Sequence, residues 1–367
     1  MPDMTTRERF VRTLTGQPVD RAPFIKLFGG TNAVLPHWEA AQPGLASCID
    51  EILQFEGTYR GWNIVPANFG LSQCPPDEVV EDTEAYTIYR GGDEAVHKRV
   101  KHGDYHRQTL RWAVETRADW ERIRDRHLQA DDPSRLPENW LALVEEYRTR
   151  DYALQLTHGG VYGFARNLMG DVNLAYAFYD DPELVHEIMD SYTDMLLVLW
   201  EGMAREVEFD LVEFWEDMAS KNGSIVSPAI FNEFMAPNYR KVRDFARAHH
   251  IPILLVDSDG ATGELAKWMA ACGVTAMYPF EVGAGNDCQA TRAALPELGI
   301  LGGLEKDAMA QGPEAVEREM EKARRLIEMG RCIPGPDHFA LSNVSWPQYR
   351  YFMERLREVV MTTRPGN

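Results

Sequence analysis

Short apolar runs alternate with longer amphipathic stretches over most of the chain. The runs Ala22–Phe28, Thr58–Pro66, Tyr152–Thr157, Phe209–Trp215, Ile251–Asp257, Val274–Phe280, Leu298–Gly303 and Gly330–Gly335 are too short for helices and read as buried parallel strands. Helix starts fall between them. Asp181-Pro-Glu-Leu places an N-cap before a proline at the first helical position, and Val185, Ile188, Met189, Tyr192 and Met195 then follow at helical spacing. Ser227-Pro-Ala-Ile-Phe and Gly312-Pro-Glu-Ala-Val repeat that start. Eight strands alternating with helices predict an α/β fold, a (β/α)₈ TIM barrel, over a doubly wound sheet. No glycine-rich nucleotide fingerprint follows the first strand, which also disfavours the doubly wound sheet. The alternation breaks at Tyr86–Trp112, where three strand-like runs joined by Gly91-Gly92 and Gly103-Asp104 predict an antiparallel insertion after the second barrel strand. No repeat or linker interrupts the rest, so residues 1–367 read as one domain with residues 86–112 inserted in it.

Composition narrows the partners. The hydrophobic fraction is 44% and the charged fraction 26%, ordinary for a globular protein. Acidic residues number 57 against 38 basic, a formal charge of -19, which disfavours nucleic acid and anionic membrane surfaces as partners. The first ten residues are polar, and the longest apolar patch, Met195–Trp200, is too short for a bilayer. Cys48, Cys74, Cys272, Cys288 and Cys332 are scattered, suggesting neither a disulfide framework nor a cysteine-rich zinc site. A cytoplasmic protein acting on a small molecule is the expectation, with a homodimer as one option for its assembly.

In such barrels the chemistry sits at the C-terminal ends of the strands. Those ends offer Phe28, Gly29 and Gly30; Trp62 and Asn63; His158 and Tyr162; Glu213, Trp215, Glu216 and Asp217; Asp257 and Asp259; Glu281; Glu305 and Lys306; and Asp337 and His338. So many carboxylates cannot all ionise in one confined mouth without a compensating cation. Asp257, Asp259 and His338 form a candidate divalent-metal set with open positions for substrate. The alternative for Asp259-Gly260 is a plain turn and N-cap before a helix near Thr262. Glu216, Asp217, His158 and His338 are candidate acid–base groups. Phe28, Trp62, Tyr162, Glu213, Trp215 and Glu281 are candidate pocket walls, and the aromatics among them serve equally as packing. His97, His102 and His106, flanked by Lys98, Arg99, Lys101 and Arg107, read as an exposed hairpin.

Several motifs carry a family resemblance. Thr6–Pro23, Asn167-Leu-Met-Gly170 with Tyr179–Leu184, Asp217-Met-Ala-Ser-Lys-Asn-Gly with Ser227-Pro, Tyr278-Pro-Phe-Glu281, Gly302-Gly303 and Gly335-Pro-Asp-His338 resemble, in order, the uroporphyrinogen decarboxylase superfamily. The resemblance implies the same barrel. The arginine-rich motif with which true uroporphyrinogen decarboxylases grip their substrate has no counterpart in Phe24–Asn32, which holds only Lys26. In the corrinoid-dependent methyltransferases of the superfamily, a zinc is held by His-x-Cys and a later Cys. Here Asp257-Ser-Asp259-Gly260 and His338 stand at those positions, a harder ligand set.

The resemblance therefore implies a methyltransferase. It would move a methyl group from a small O- or N-methylated compound to a cobalamin on a separate corrinoid protein, assisted by a divalent metal, zinc first among the candidates. The alternative is a metal-assisted decarboxylase or other lyase, in which Lys26 or Lys306 would meet the substrate carboxylate.

Overall fold

A computed structural model describes residues 4–28, 34–57, 59–102 and 107–366. Strand β1 (Trp62–Ile64) is followed by the inserted strands β2 (Glu78–Asp82), β3 (Tyr86–Arg90), β4 (Val96–Val100) and β5 (Arg107–Arg111). The chain then runs through β6 (Ala153–His158), β7 (Leu211–Trp215), the small hairpin β8 (Ala219–Ser220) and β9 (Gly223–Ser224), β10 (Ile253–Asp257), β11 (Ala276–Tyr278), β12 (Gly299–Leu304) and β13 (Cys332–Pro336). Seven of these form a parallel sheet in the order β1-β6-β7-β10-β11-β12-β13, each neighbour in the sheet being the next such strand in the chain. Helices 182–204, 236–248, 263–272, 288–294 and 313–328 fill successive crossovers, as parallel neighbours require.

Both faces of the sheet are buried, and the period-2 alternation sorts the side chains between them. Val212, Phe214, Leu254, Val256 and Ile300 pack outward with the helices. Leu211, Ile253, Leu255, Ala276, Tyr278, Leu301 and Ile333 face inward, where Phe10 and Leu14 of helix 6–15 join them. A Cβ on Gly299, the first residue of β12, would lie 3.0 Å from the Leu14 side chain, so this helix covers the starts of the strands. The same inward face carries the polar residues Gln155, level with Leu211, Glu213, level with Leu255, and Asp257 at the strand end.

Three expectations need correction. Ala22–Phe28 is buried but forms no ladder. Pro23 has no N–H to give, the carbonyls of Phe24 and Lys26 accept from Glu56 and Arg60, and the Leu27 N–H turns back to the Ile25 carbonyl. The segment still lies between the two edges of the sheet: Leu27 packs on Gly335 of β13, and Ile25 on Gly61 just ahead of β1. The insertion has four antiparallel strands in the order β2-β3-β4-β5, so it begins at Glu78 rather than Tyr86. His97 is buried rather than exposed, held between Asp93 and Thr109, whereas His102 is exposed. His106 lies outside the described residues. Lys221 and Asn222 form the turn between β8 and β9. No described helix is long and apolar enough to cross a membrane.

One buried charge holds the starts of the strands to the first helix. Asp210 accepts from Arg7 Nε at 2.9 Å, Arg150 Nη2 at 3.0 Å and the Leu154 N–H at 2.9 Å. Removing it leaves the buried Arg150 guanidinium uncompensated. Asp210→Ala is expected to cost about 3–5 kcal/mol in urea denaturation, and a loss below about 1 kcal/mol would show that the cluster does not hold these elements.

Candidate active site

Strand β10 ends on Asp257, and Ser258, Asp259 and Gly260 carry the chain over the rim of the sheet. Gly260 has φ +82, and a Cβ there would lie 2.7 Å from the Ala219 carbonyl oxygen. Only glycine fits this turn. Its N–H donates to Glu281 Oε2 at 2.9 Å, and Asn286 Nδ2 donates to its carbonyl at 2.8 Å. The helix that follows begins at Gly263 with Thr262 as its cap residue. The Thr262 N–H is satisfied by Asn286 Oδ1 at 2.9 Å. Asp259 is therefore not the helix cap, and its carboxylate turns into the mouth.

The end of β7 supplies the third acid. Glu216 donates its N–H to the Asp257 carbonyl at 2.9 Å, stitching the two strand ends together. Its fully buried carboxylate turns away from the mouth, accepting from the Val161 N–H at 2.8 Å, the Gly163 N–H at 2.9 Å and the Tyr239 hydroxyl. It thereby anchors the start of helix 161–169 on the strand end. A Cβ on Gly163 would lie 2.3 Å from the Trp215 carbonyl oxygen, so the close approach requires glycine. Asp217 then takes φ +45, a left-handed conformation unfavourable for a non-glycine residue. Arg166 fixes it, donating to its carbonyl at 2.9 Å and lying 3.7 Å from Oδ2.

Asp217, Asp257 and Asp259 each bring one carboxylate oxygen within 4.8 Å of the others. Burial first, then the Glu213 charge, raises the Asp257 carboxyl well above the ordinary range, with Arg60 opposing. Burial and the Asp259 charge raise Asp217. Three hard oxygen donors, two of them on carboxyls raised by burial and neighbouring charge, fit a divalent cation of the magnesium, manganese, iron(II) or zinc type. A thiolate set is absent from the cluster: Cys272, Cys288 and Cys332 are buried on helix 263–272, helix 288–294 and β13.

His338 meets the cluster through Asp259, with Nε2 3.5 Å from Oδ2, and its ring stacks on Phe28 at 5.3 Å and 20°. Beneath lies a charge network that sequence reasoning missed. The Arg60 guanidinium donates to the Tyr278 hydroxyl at 2.5 Å and lies 3.6 Å from Asp257 and 3.7 Å from Glu213. It also covers the rings of Phe28 and Tyr278 at 5.2 and 5.1 Å. Tyr278 donates to Glu213, and Gln155 Nε2 donates to its other oxygen at 2.5 Å. Arg60 precedes β1 instead of following a strand, so a search of strand ends passes over it. Its signal is a lone basic residue between Gly57 and Gly61, ahead of an apolar run.

The structure thus gathers Asp257, Asp259, Asp217, His338, Glu213 and Phe28, with Glu281 bracing the Gly260 turn. It does not bring the Glu216 carboxylate or the Tyr162 hydroxyl to the cluster: the latter points to Asp171 at 3.4 Å. Trp62 is a packing residue against Phe10 and Tyr278. Trp215 is half-exposed, with Arg166 5.8 Å over its ring. Asp337 is fully buried and accepts from the Val282 and Lys306 N–H groups, so it braces neighbouring loops. The side chain of His158, and Gly29 and Gly30, lie outside the described residues.

Comparison with known proteins bears on this site. The family model described as uroporphyrinogen decarboxylase matches residues 142–359. No curated protein sequence matches the chain. Among solved structures, a methyltransferase from Methanosarcina mazei has a TM-score of 0.59 at 15% identity, over 97% of this chain and 98% of that one. The two share a fold. A structure described as a putative vitamin-B12 independent methionine synthase from Listeria monocytogenes reaches a TM-score of 0.34 at 12% identity, over 59% of this chain and 69% of that one, too low to bear on the argument.

The raised Asp257 carboxyl sets a pH dependence of stability. A folded-state value above the unfolded one means the contribution is fully present below the unfolded carboxylate range and is lost as pH rises through the folded value. In chelator-treated protein, Asp257→Asn is expected to melt at a higher temperature than wild type at pH 8, with the difference closing toward pH 4. A variant less stable than wild type at pH 8 would show instead that the Arg60 pairing outweighs the burial cost.

Proposed function

Because the chain belongs to the uroporphyrinogen decarboxylase family, we propose that it is a metal-assisted methyltransferase of that family, moving a methyl group from a small O- or N-methylated compound to a cobalamin carried by a separate corrinoid protein. The convergence of Asp217, Asp257 and Asp259 carries this reading, because three crowded carboxylates form a cation site before any substrate arrives. The three would hold the cation, which when bound supplies Lewis acidity toward the substrate heteroatom. On this reading the architecture is a (β/α)₈ barrel in which Ala22–Phe28 takes the eighth position without a ladder.

The remaining residues divide the work. Glu281 and Asn286 hold the Asp259 turn. Arg60 and Tyr278 fix Asp257 and Glu213 from below. Phe28 fixes the His338 ring, leaving its Nε2 at the rim beside Asp259. As the methyl group leaves as a carbon electrophile, the departing oxygen or nitrogen keeps the bonding pair and takes a proton from His338.

Decarboxylation fits less well. Lys26 is paired with Asp50 at 2.5 Å, and Lys306 lies 3.5 Å from Glu281 and 3.8 Å from Asp337, so neither lysine offers an unspent charge to a substrate carboxylate.

With Co(I) cobalamin and a panel of methoxylated and N-methylated donors, the protein loaded in turn with zinc, manganese, iron(II) and magnesium is expected to form methylcobalamin with at least one metal. Asp259→Ala is expected to abolish the reaction, and His338→Ala to slow it by about 10²–10⁴-fold. Carbon dioxide release without cobalt, or no turnover across the panel, would contradict the proposal.

A further inference from the structure

A cavity of about 530 Å³ lies between the inserted antiparallel sheet and helix 161–169 with the end of β7. Its size falls within the range of small-molecule sites. Trp112, Phe164 and Trp215 supply flat walls, and two of these are fixed before any ligand arrives. Phe164 stacks on the buried Tyr192 at 3.7 Å and 4°. Trp112 lies against Gly170, where a Cβ would come within 2.3 Å of the indole, so only glycine leaves room for the ring. Rigid aromatic walls lower the ordering cost of binding a planar body.

Of the charged residues in the lining, Asp93 has a side-chain partner among the described residues and Arg107 does not. Asp93 and His97 satisfy each other, with His97 Nε2 donating to both Asp93 oxygens at 2.9 and 3.0 Å and the Thr109 hydroxyl 3.2 Å from Nδ1. The Arg107 guanidinium, also in the lining, has no ion-pair or hydrogen-bond partner among the described residues. One unspent cation beside aromatic walls selects a ligand with a flat apolar body and a single negative charge, and the guanidinium fork matches a carboxylate. We propose that this cleft is a binding site for a small aromatic carboxylate, ring between Trp112 and Trp215 and carboxylate on Arg107. The site adjoins the acid cluster without sharing its residues: Arg166 touches both the Trp215 ring, at 5.8 Å, and Asp217, at 3.7 Å. Binding there needs no metal.

The test uses 2-naphthoate and its neutral counterpart 2-naphthamide, followed by quenching of tryptophan fluorescence and by calorimetry, with a chelator present throughout. Wild type is expected to bind the acid at least about tenfold more tightly than the amide, the difference a charged hydrogen bond supplies. Arg107→Gln is expected to remove that preference while leaving amide binding unchanged. Trp112→Leu, which keeps Arg107, is expected to weaken acid and amide alike. Equal binding of acid and amide by wild type, an undiminished preference in Arg107→Gln, or no binding of either at millimolar concentration would overturn the proposal. Because no metal or methyl donor is present, these results are independent of whether the acid cluster transfers a methyl group.

Discussion

Mutual repulsion among Asp217, Asp257 and Asp259 is the constraint around which the mouth of this protein is built. Two unit charges 4.8 Å apart cost about 3.5 kcal/mol at an effective dielectric near 20. A cluster of three is therefore tolerated only because the chain around it is over-determined. The Gly260 turn is fixed on both sides by Glu281 and Asn286, the ends of β7 and β10 are joined through the Glu216 N–H, and Asp217 is held in a strained left-handed conformation by Arg166. A single guanidinium, that of Arg60, stands between two carboxylates and offsets only part of their charge. Left alone, the cluster must hold protons; given a divalent cation, it need not.

The same constraint explains the division of roles between adjacent residues. Glu216 and Asp217 differ by one position, yet one carboxylate is sealed against the start of helix 161–169 while the other faces the mouth. The first anchors the helix and the second joins the acid cluster, and the two are linked because the anchored helix presents Arg166 to Asp217. In the insertion, the partly exposed Asp93 and the Thr109 hydroxyl hold the buried His97 ring from its two nitrogens.

Much of this was legible in the amino-acid sequence. Asp257 and Asp259 were visible because an apolar run that stops at two acids and a glycine can only be a strand reaching a rim. The parity of Ile253, Leu255 and Asp257 follows from the pleat alone. What escaped had physical reasons. Ala22–Phe28 has strand composition, but its carbonyls pair with Glu56 and Arg60, which lie far along the chain. Glu78–Asp82 is exposed throughout and rich in acid, so no alternation of apolar positions marked it. His97 looked exposed because cations flank it in the sequence, yet it is buried between Asp93 and Thr109. Arg60 reaches Asp257 from the start of a strand, and choosing Asp217 over Glu216 turns on one backbone angle, neither of which residue type or spacing encodes.

The most direct test of the crowded carboxylates is their own titration. In chelator-treated protein carrying carbon-13 only at aspartate side-chain carboxyls, with Asp257→Asn supplying the assignment, the account predicts an Asp257 resonance that titrates well above the ordinary aspartate range. On addition of a divalent cation, that titration should fall back toward acid pH. An Asp257 carboxyl that ionises in the ordinary range and ignores added cations would contradict the account.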